Sequence, residues 1–155
     1  MTSPETVLAF DFGLKRIGIA AGDTLTTAAA PRPAAANGAA GPDWPAISRE
    51  VHALGPGRLV VGHPYNADGS ESAMATAARA FAAELAHRFA LPVHLVDERF
   101  SSLEATAALK SARAAGTRRH RVAKADIDSA AAAVILGRFF QGEGSPLNLN
   151  TGKGP

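Results

Sequence analysis

Cysteine is absent from this chain of 155 residues. That excludes a disulfide framework, thiolate zinc sites, iron–sulfur ligation and a cysteine nucleophile. Large apolar side chains are also scarce: 46% of the residues are hydrophobic, but about half of those are alanine. No apolar run approaches the ~20 residues needed to span a bilayer. The opening MTSPETVLAFDFG has no basic stretch ahead of its apolar run, so a secretory signal is not expected and a cytoplasmic location is. Net charge is only +2, too small by itself to indicate a nucleic-acid partner. The length fits one domain, expected over residues 1–141, with a flexible tail over 142–155 that is rich in Gly, Pro and Asn.

What is present is patterned. Thr6 to Phe12 (TVLAFDF) reads as a buried strand, and Gly13-Leu14-Lys15 turns it into a second strand, Arg16 to Ala21. A third strand is expected from Thr26 to Ala30, followed by a low-complexity surface loop from Pro31 to Gly41. Asp43 is placed to cap a helix that ends at Gly55-Pro56-Gly57. Arg58 to Gly62 and Val93 to Val96 read as further buried strands. Between them, Glu71 to Phe89 forms a helix with an apolar stripe through Met74, Ala78, Phe81 and Leu85. His63 to Ser70 is a polar loop. A helix is expected from Ser101 or Ser102 towards Ala114, then a basic loop, then a last helix from Asp126 to Phe140. A meander followed by alternating strands and helices specifies an α/β layered sheet with helices on its faces.

Three acidic positions interrupt this pattern. Asp11 lies between Phe10 and Phe12 in a strand apolar on both sides, where a carboxylate is costly unless it is paired or binds a cation. Asp97 and Glu98 follow a buried strand, at the end where open α/β sheets place their ligand sites. Asp126 and Asp128 open the last helix; Asp126 suits the helix dipole, which leaves Asp128 as the stronger candidate. Two strand ends and one helix start can converge on one edge of a sheet. Clustered carboxylates repel unless a divalent cation holds them, and hard oxygen ligands suit Mg2+ or Mn2+. Such ions can clamp a phosphodiester and activate a water. From Arg113 to Lys124 the chain carries Arg113, Arg118, Arg119, Arg121 and Lys124 with no acid, a local run able to neutralise phosphates.

The strings AFDFGLKRIGIAAGD, VVGHPYNADGSES, VDERFSS and DIDSAAAAVIL, in this order and at this spacing, resemble the YqgF/RuvX family from Leu8 to about Phe140. The resemblance implies a ribonuclease H-like fold: a central mixed five-stranded sheet, antiparallel meander plus parallel strands, with helices on both faces. It implies a nuclease that processes the 5′ end of pre-16S ribosomal RNA, with a Holliday junction resolvase or a non-catalytic RNA-binding processing factor as alternatives. Carried over by position, Asp11, Glu98 and Asp128 are the catalytic and metal-holding acids, with Asp97 a further candidate ligand. Lys15 and Arg16 match the basic pair after the first turn, and Arg99 the arginine of the DER block; with the Arg113–Lys124 run they are expected to face nucleic acid. His63 and Tyr65 stand where family members commonly carry smaller apolar residues. A two-fold junction substrate would favour a homodimer. Asp11-Phe12-Gly13 also spells the kinase DFG, but the chain is too short for a kinase and lacks an HRD loop. An actin-like ATPase would need two such domains and a second phosphate loop, which this length does not supply.

Overall fold

Seven residues rich in Val, Leu and Phe, Thr6–Phe12, form the central strand β1 of a computed structural model that describes residues 4–63, 72–97 and 124–147, with backbone alone for 124–128. The remaining strands are β2 (Arg16–Asp23), β3 (Ala29–Ala36), β4 (Arg58–His63), β5 (Val93–Asp97) and β6 (Ser145–Pro146). They make a six-stranded sheet in the order β3-β2-β1-β4-β5-β6. β1 runs antiparallel to β2 and parallel to β4, β4 is parallel to β5, and both edge strands are antiparallel to their neighbours. The helices are α1 (Trp44–Leu54), α2 (Ala73–Phe89) and α3 (Lys124–Phe140). The helix expected after Ser101 and the site candidates Glu98, Arg99, Arg113, Arg118, Arg119 and Arg121 lie outside the described residues. So do residues 64–71 and 148–155.

Strand alternation divides the core into two layers. Leu8 and Phe10 of β1, Ile17 and Ile19 of β2, and Leu59 and Val61 of β4 pack with Ile47 and Val51 of α1 and with Phe81 and Leu85 of α2. The intervening residues Val7, Ala9, Ala20, Val60 and Val96 pack on the opposite face against Ala132, Ile135 and Leu136 of α3. Phe81 is the aromatic centre of the first layer: its ring lies 5.7 Å from Phe10, 5.1 Å from Phe12 and 5.6 Å from Trp44. The Arg88 guanidinium covers the Trp44 ring at 4.1 Å.

Both helices of the first layer begin as local chemistry dictates. The Asp43 carboxylate accepts from the Ala46 amide at 3.1 Å, with Pro45 in the first turn. Ser72 does the same for α2, accepting from the Ala75 amide at 3.0 Å. That shortens the helix expected from Glu71, which starts at Ala73.

Expectations for the sheet's edges also change. The stretch read as a surface loop from Pro31 is instead most of β3, with Ala20 opposite Pro31 and Ile19 opposite Arg32. An edge strand has a free side, so proline's missing donor there breaks no central ladder. Arg32 ties this strand to α1 through Glu50, with Nε 2.7 Å from Oε1. The sheet also has six strands rather than five, because Ser145–Pro146 add to β5. The Leu147 amide then donates to the Val93 carbonyl at 2.8 Å.

Candidate functional site

β1 is where the strand order reverses. Its chain leaves towards β2 and β3, whereas the chain that returns as β4 continues to β5 and β6. In an open α/β sheet the crevice for a ligand opens at the carboxyl end of such a strand. Asp11 occupies that end. It shares strand parity with Val7 and Ala9, so it belongs to the face that α3 covers. Its partner across the ladder is Gly18 of β2, which puts no side chain beside it.

The turn after Asp11 is braced from outside the hairpin. Gly13 is required there, since a Cβ would stand 2.7 Å from the Arg16 carbonyl oxygen. The Asn37 side chain donates from Nδ2 to the Gly13 carbonyl at 2.7 Å, and the Asn37 amide donates to the Lys15 carbonyl at 2.9 Å. Lys15 is exposed at this turn and Arg16 is half-buried at the start of β2. Both basic residues therefore sit within five positions of Asp11, at the same edge of the sheet.

α3 reaches this edge through a buried hydroxyl. Ser129, 4% exposed, donates from Oγ to the Arg32 carbonyl of β3 at 2.7 Å and accepts from the Ile19 amide of β2 at 3.4 Å. The β2–β3 register shifts between Ile17 and Ile19, and the irregularity opens backbone groups to a side chain from above. Ser129 stands three residues before Ala132 and seven before Leu136, on the sheet-facing row of the helix. The first turns of α3, which carry Lys124, Asp126 and Asp128, are thus fastened over β2 one residue along from Gly18, the ladder partner of Asp11.

Asp97 is placed differently. It closes β5 opposite His63, the last residue of β4, and shares parity with Val93 and Leu95, whose side chains belong to the α1–α2 face. Asp11 and Asp97 thus occupy opposite faces of the sheet. The Arg138 guanidinium of α3 holds the Asp97 backbone carbonyl through Nη1 at 2.9 Å. His63 is buried, at 1% exposure, as the final β4 residue rather than as part of a polar loop.

Among the described residues no three His, Asp or Glu side chains gather as a metal site. The donor chemistry nevertheless fits a hard cation: a carboxylate at the carboxyl edge, a glycine leaving space beside it, and no cysteine in the chain to favour a softer ion. Sequence reasoning found Asp11 but missed Asn37 and Ser129. Asn37-Gly38 was readable as a turn pair, though its reach to Gly13 was not. Ser129 had a signal, a hydroxyl inside an alanine and leucine stripe, but its partners lie 97 and 110 residues away.

Comparison with known proteins agrees with this fold. A Legionella pneumophila protein carrying the name "Putative pre-16S rRNA nuclease" is 45% identical over 134 residues, covering 86% of this chain and 94% of its own. A Xanthomonas campestris protein of the same name is 45% identical over 135 residues, covering 87% and 86%. Among solved structures, Thermus thermophilus RuvC in complex with a Holliday junction substrate superimposes with a TM-score of 0.55 at 16% identity. That match covers 92% of this chain and 99% of RuvC, so the two share the ribonuclease H-like fold. No helix among the described residues is long and apolar enough to cross a membrane. The RuvX family model, described as Holliday junction resolvase, matches residues 5–142, and with both relatives aligned over most of their length this chain belongs to the RuvX family.

Proposed function

We propose that the protein is a divalent-metal-dependent nuclease that hydrolyses phosphodiester bonds in structured nucleic acid, with the 5′ end of pre-16S ribosomal RNA as its substrate. One observation supports the reading: Asp11 stands at the strand-order reversal on the face that α3 covers, and Ser129 fastens the start of that helix to β2 and β3. The names of the close relatives supply the substrate.

Asp11, Glu98 and Asp128 are the residues assigned to hold Mg2+ or Mn2+. When bound, the cation supplies a Lewis acid that lowers the pKa of a water and neutralises charge on the scissile phosphate. The chain's own contribution is to position and to attract. Asp11 is fixed by the β1–β2 ladder and by a turn that Asn37 holds. Lys15 and Arg16 bring positive charge to the same edge, where phosphate oxygens need it. Arg99 and the run Arg113, Arg118, Arg119, Arg121 and Lys124 extend that contact along the backbone of the substrate.

The test is cleavage of a pre-16S rRNA fragment and of a synthetic four-way DNA junction, each with Mg2+, with Mn2+ and with EDTA. The expected result is metal-dependent cut at the RNA 5′ end, abolished by EDTA and by Asp11→Asn, while that variant keeps most substrate affinity. The likeness to RuvC favours the junction as the second substrate. Junction cleavage without RNA cleavage would transfer the reading to a resolvase working as a homodimer. Binding of RNA without cleavage under any metal would leave a processing factor that does no chemistry.

A further inference from the structure

We infer that Ser129 is a positioning residue for the acidic site: its hydroxyl, locked between the β2 and β3 backbones, sets the height and rotation of the Asp128 segment relative to Asp11. The inference rests on the nuclease reading above and adds to it a residue that touches neither metal nor substrate.

A buried hydroxyl must be paired, because a buried polar group without a partner is costly. Ser129 meets that need in one way only: it donates to the Arg32 carbonyl at 2.7 Å and accepts the Ile19 amide at 3.4 Å. Both partners are backbone groups of strands, so the hydroxyl fixes the helix against the sheet rather than against a movable side chain. Its apolar neighbours on the helix, Ala132, Ile135 and Leu136, contribute non-directional packing that tolerates a small slide or rotation. The 2.7 Å bond to the Arg32 carbonyl is directional and tolerates less of either, with the longer 3.4 Å contact to the Ile19 amide a weaker second restraint.

Position converts this lock into function. Asp128 precedes Ser129, and Ile19 follows Gly18, the ladder partner of Asp11. A shift of α3 against the β2–β3 irregularity therefore alters the separation between Asp11 and the Asp128 segment directly. Geometry at a metal site must hold within about 0.5 Å to be productive.

The experiment compares Ser129→Ala with Ile135→Val, a control that trims a fully buried side chain on the same helix. Each purified full-length variant is titrated with Mn2+ alone by calorimetry and assayed for kcat and KM on the substrate found above. The expected result is that Ser129→Ala weakens Mn2+ binding and lowers kcat about tenfold each, with KM unchanged. Ile135→Val should leave all three near wild type at a comparable loss of thermal stability. Should Ser129→Ala prove too unstable to assay, Ser129→Thr, which keeps the hydroxyl, is expected to match wild type in Mn2+ affinity. A wild-type enzyme that binds Mn2+ and cleaves, with Ser129→Ala no worse than Ile135→Val, overturns the positioning role alone. So does a folded Ser129→Thr that loses Mn2+ binding. A wild-type protein that neither binds Mn2+ nor cleaves overturns the nuclease reading and this role with it.

Discussion

Asp97 and Glu98 are adjacent acids that composition and motif spacing alone do not separate; the face on which Asp97 lies bears on the choice. Asp97 carries the parity of Val93 and Leu95 and belongs to the α1–α2 face, whereas Asp11 belongs to the α3 face. The face of Asp97, with the family resemblance that assigns Glu98 to the metal, predicts unequal consequences. Glu98→Gln should reduce cleavage by more than the roughly 10–100-fold that losing a supporting partner costs at a metal site. Asp97→Asn should retain most activity, because Asp97 shares the parity of Val93 and Leu95 on the face away from Asp11. Single-turnover rates on one substrate decide it, and equal losses in the two variants would remove the face assignment.

At the scale of elements, the sequence was legible wherever a period or a cap announced itself. β1, β2, β4 and β5 appeared as apolar runs bounded by turns, and Asp43 and the α2 stripe identified their helices. β3 was not legible past Ala30, because PRPAAA offers neither large apolar alternation nor branched side chains. It is a strand through its pairing with β2, its salt bridge to α1 and the hydroxyl of Ser129. β6 is two residues long and exists only because β5 has an open edge. The β4–β5 pair also holds a pH-sensitive contact. Arg58 bonds Glu5 Oε1 through Nε at 2.7 Å, and its Nη1 lies 2.7 Å from His94 Nε2, whose lone pair must accept the bond. Burial, and next the Arg58 charge, push the His94 pKa below its ordinary 6.5, against a weaker opposing pull from Glu5. The folded state then binds fewer protons than the unfolded state between the lowered value and 6.5. This contribution is full above about pH 6.5 and lost as pH falls through the folded value. Urea unfolding of wild type should accordingly lose stability on acidification through that window. His94→Gln, which keeps an acceptor for Arg58 but does not titrate, should lose less over the same window; identical pH slopes would exclude His94 as a source.

For the whole molecule, the decisive quantity is where charge sits rather than how much there is. A net charge of +2 predicts weak non-specific attraction for nucleic acid. The family fold nevertheless places Lys15 and Arg16 at the edge that Asp11 occupies, and the sequence adds Arg113, Arg118, Arg119, Arg121 and Lys124 between β5 and the body of α3. The family was legible from four short strings because those strings mark the ends of β1, β4 and β5 and the start of α3, where the proposed site lies. The arrangement of the basic segment was not legible, since charge without periodicity carries no direction. Its contribution is still measurable. Each phosphate neutralised by a bound cationic side chain releases counterions, so the logarithm of affinity falls with the logarithm of salt by roughly 0.7–0.9 per contact. Substituting Lys15 by alanine should flatten that slope by about one contact, and replacing Arg118, Arg119 and Arg121 together should flatten it by about three. Neither change should alter the fraction of Mn2+ bound in the absence of substrate, because the proposed ligands are acids and not these cations. Filter binding across a salt series, in an Asp11→Asn background and without added metal, measures both. A slope left intact by the triple substitution would detach the basic segment from the substrate and leave the edge around Asp11 as the principal electrostatic contact.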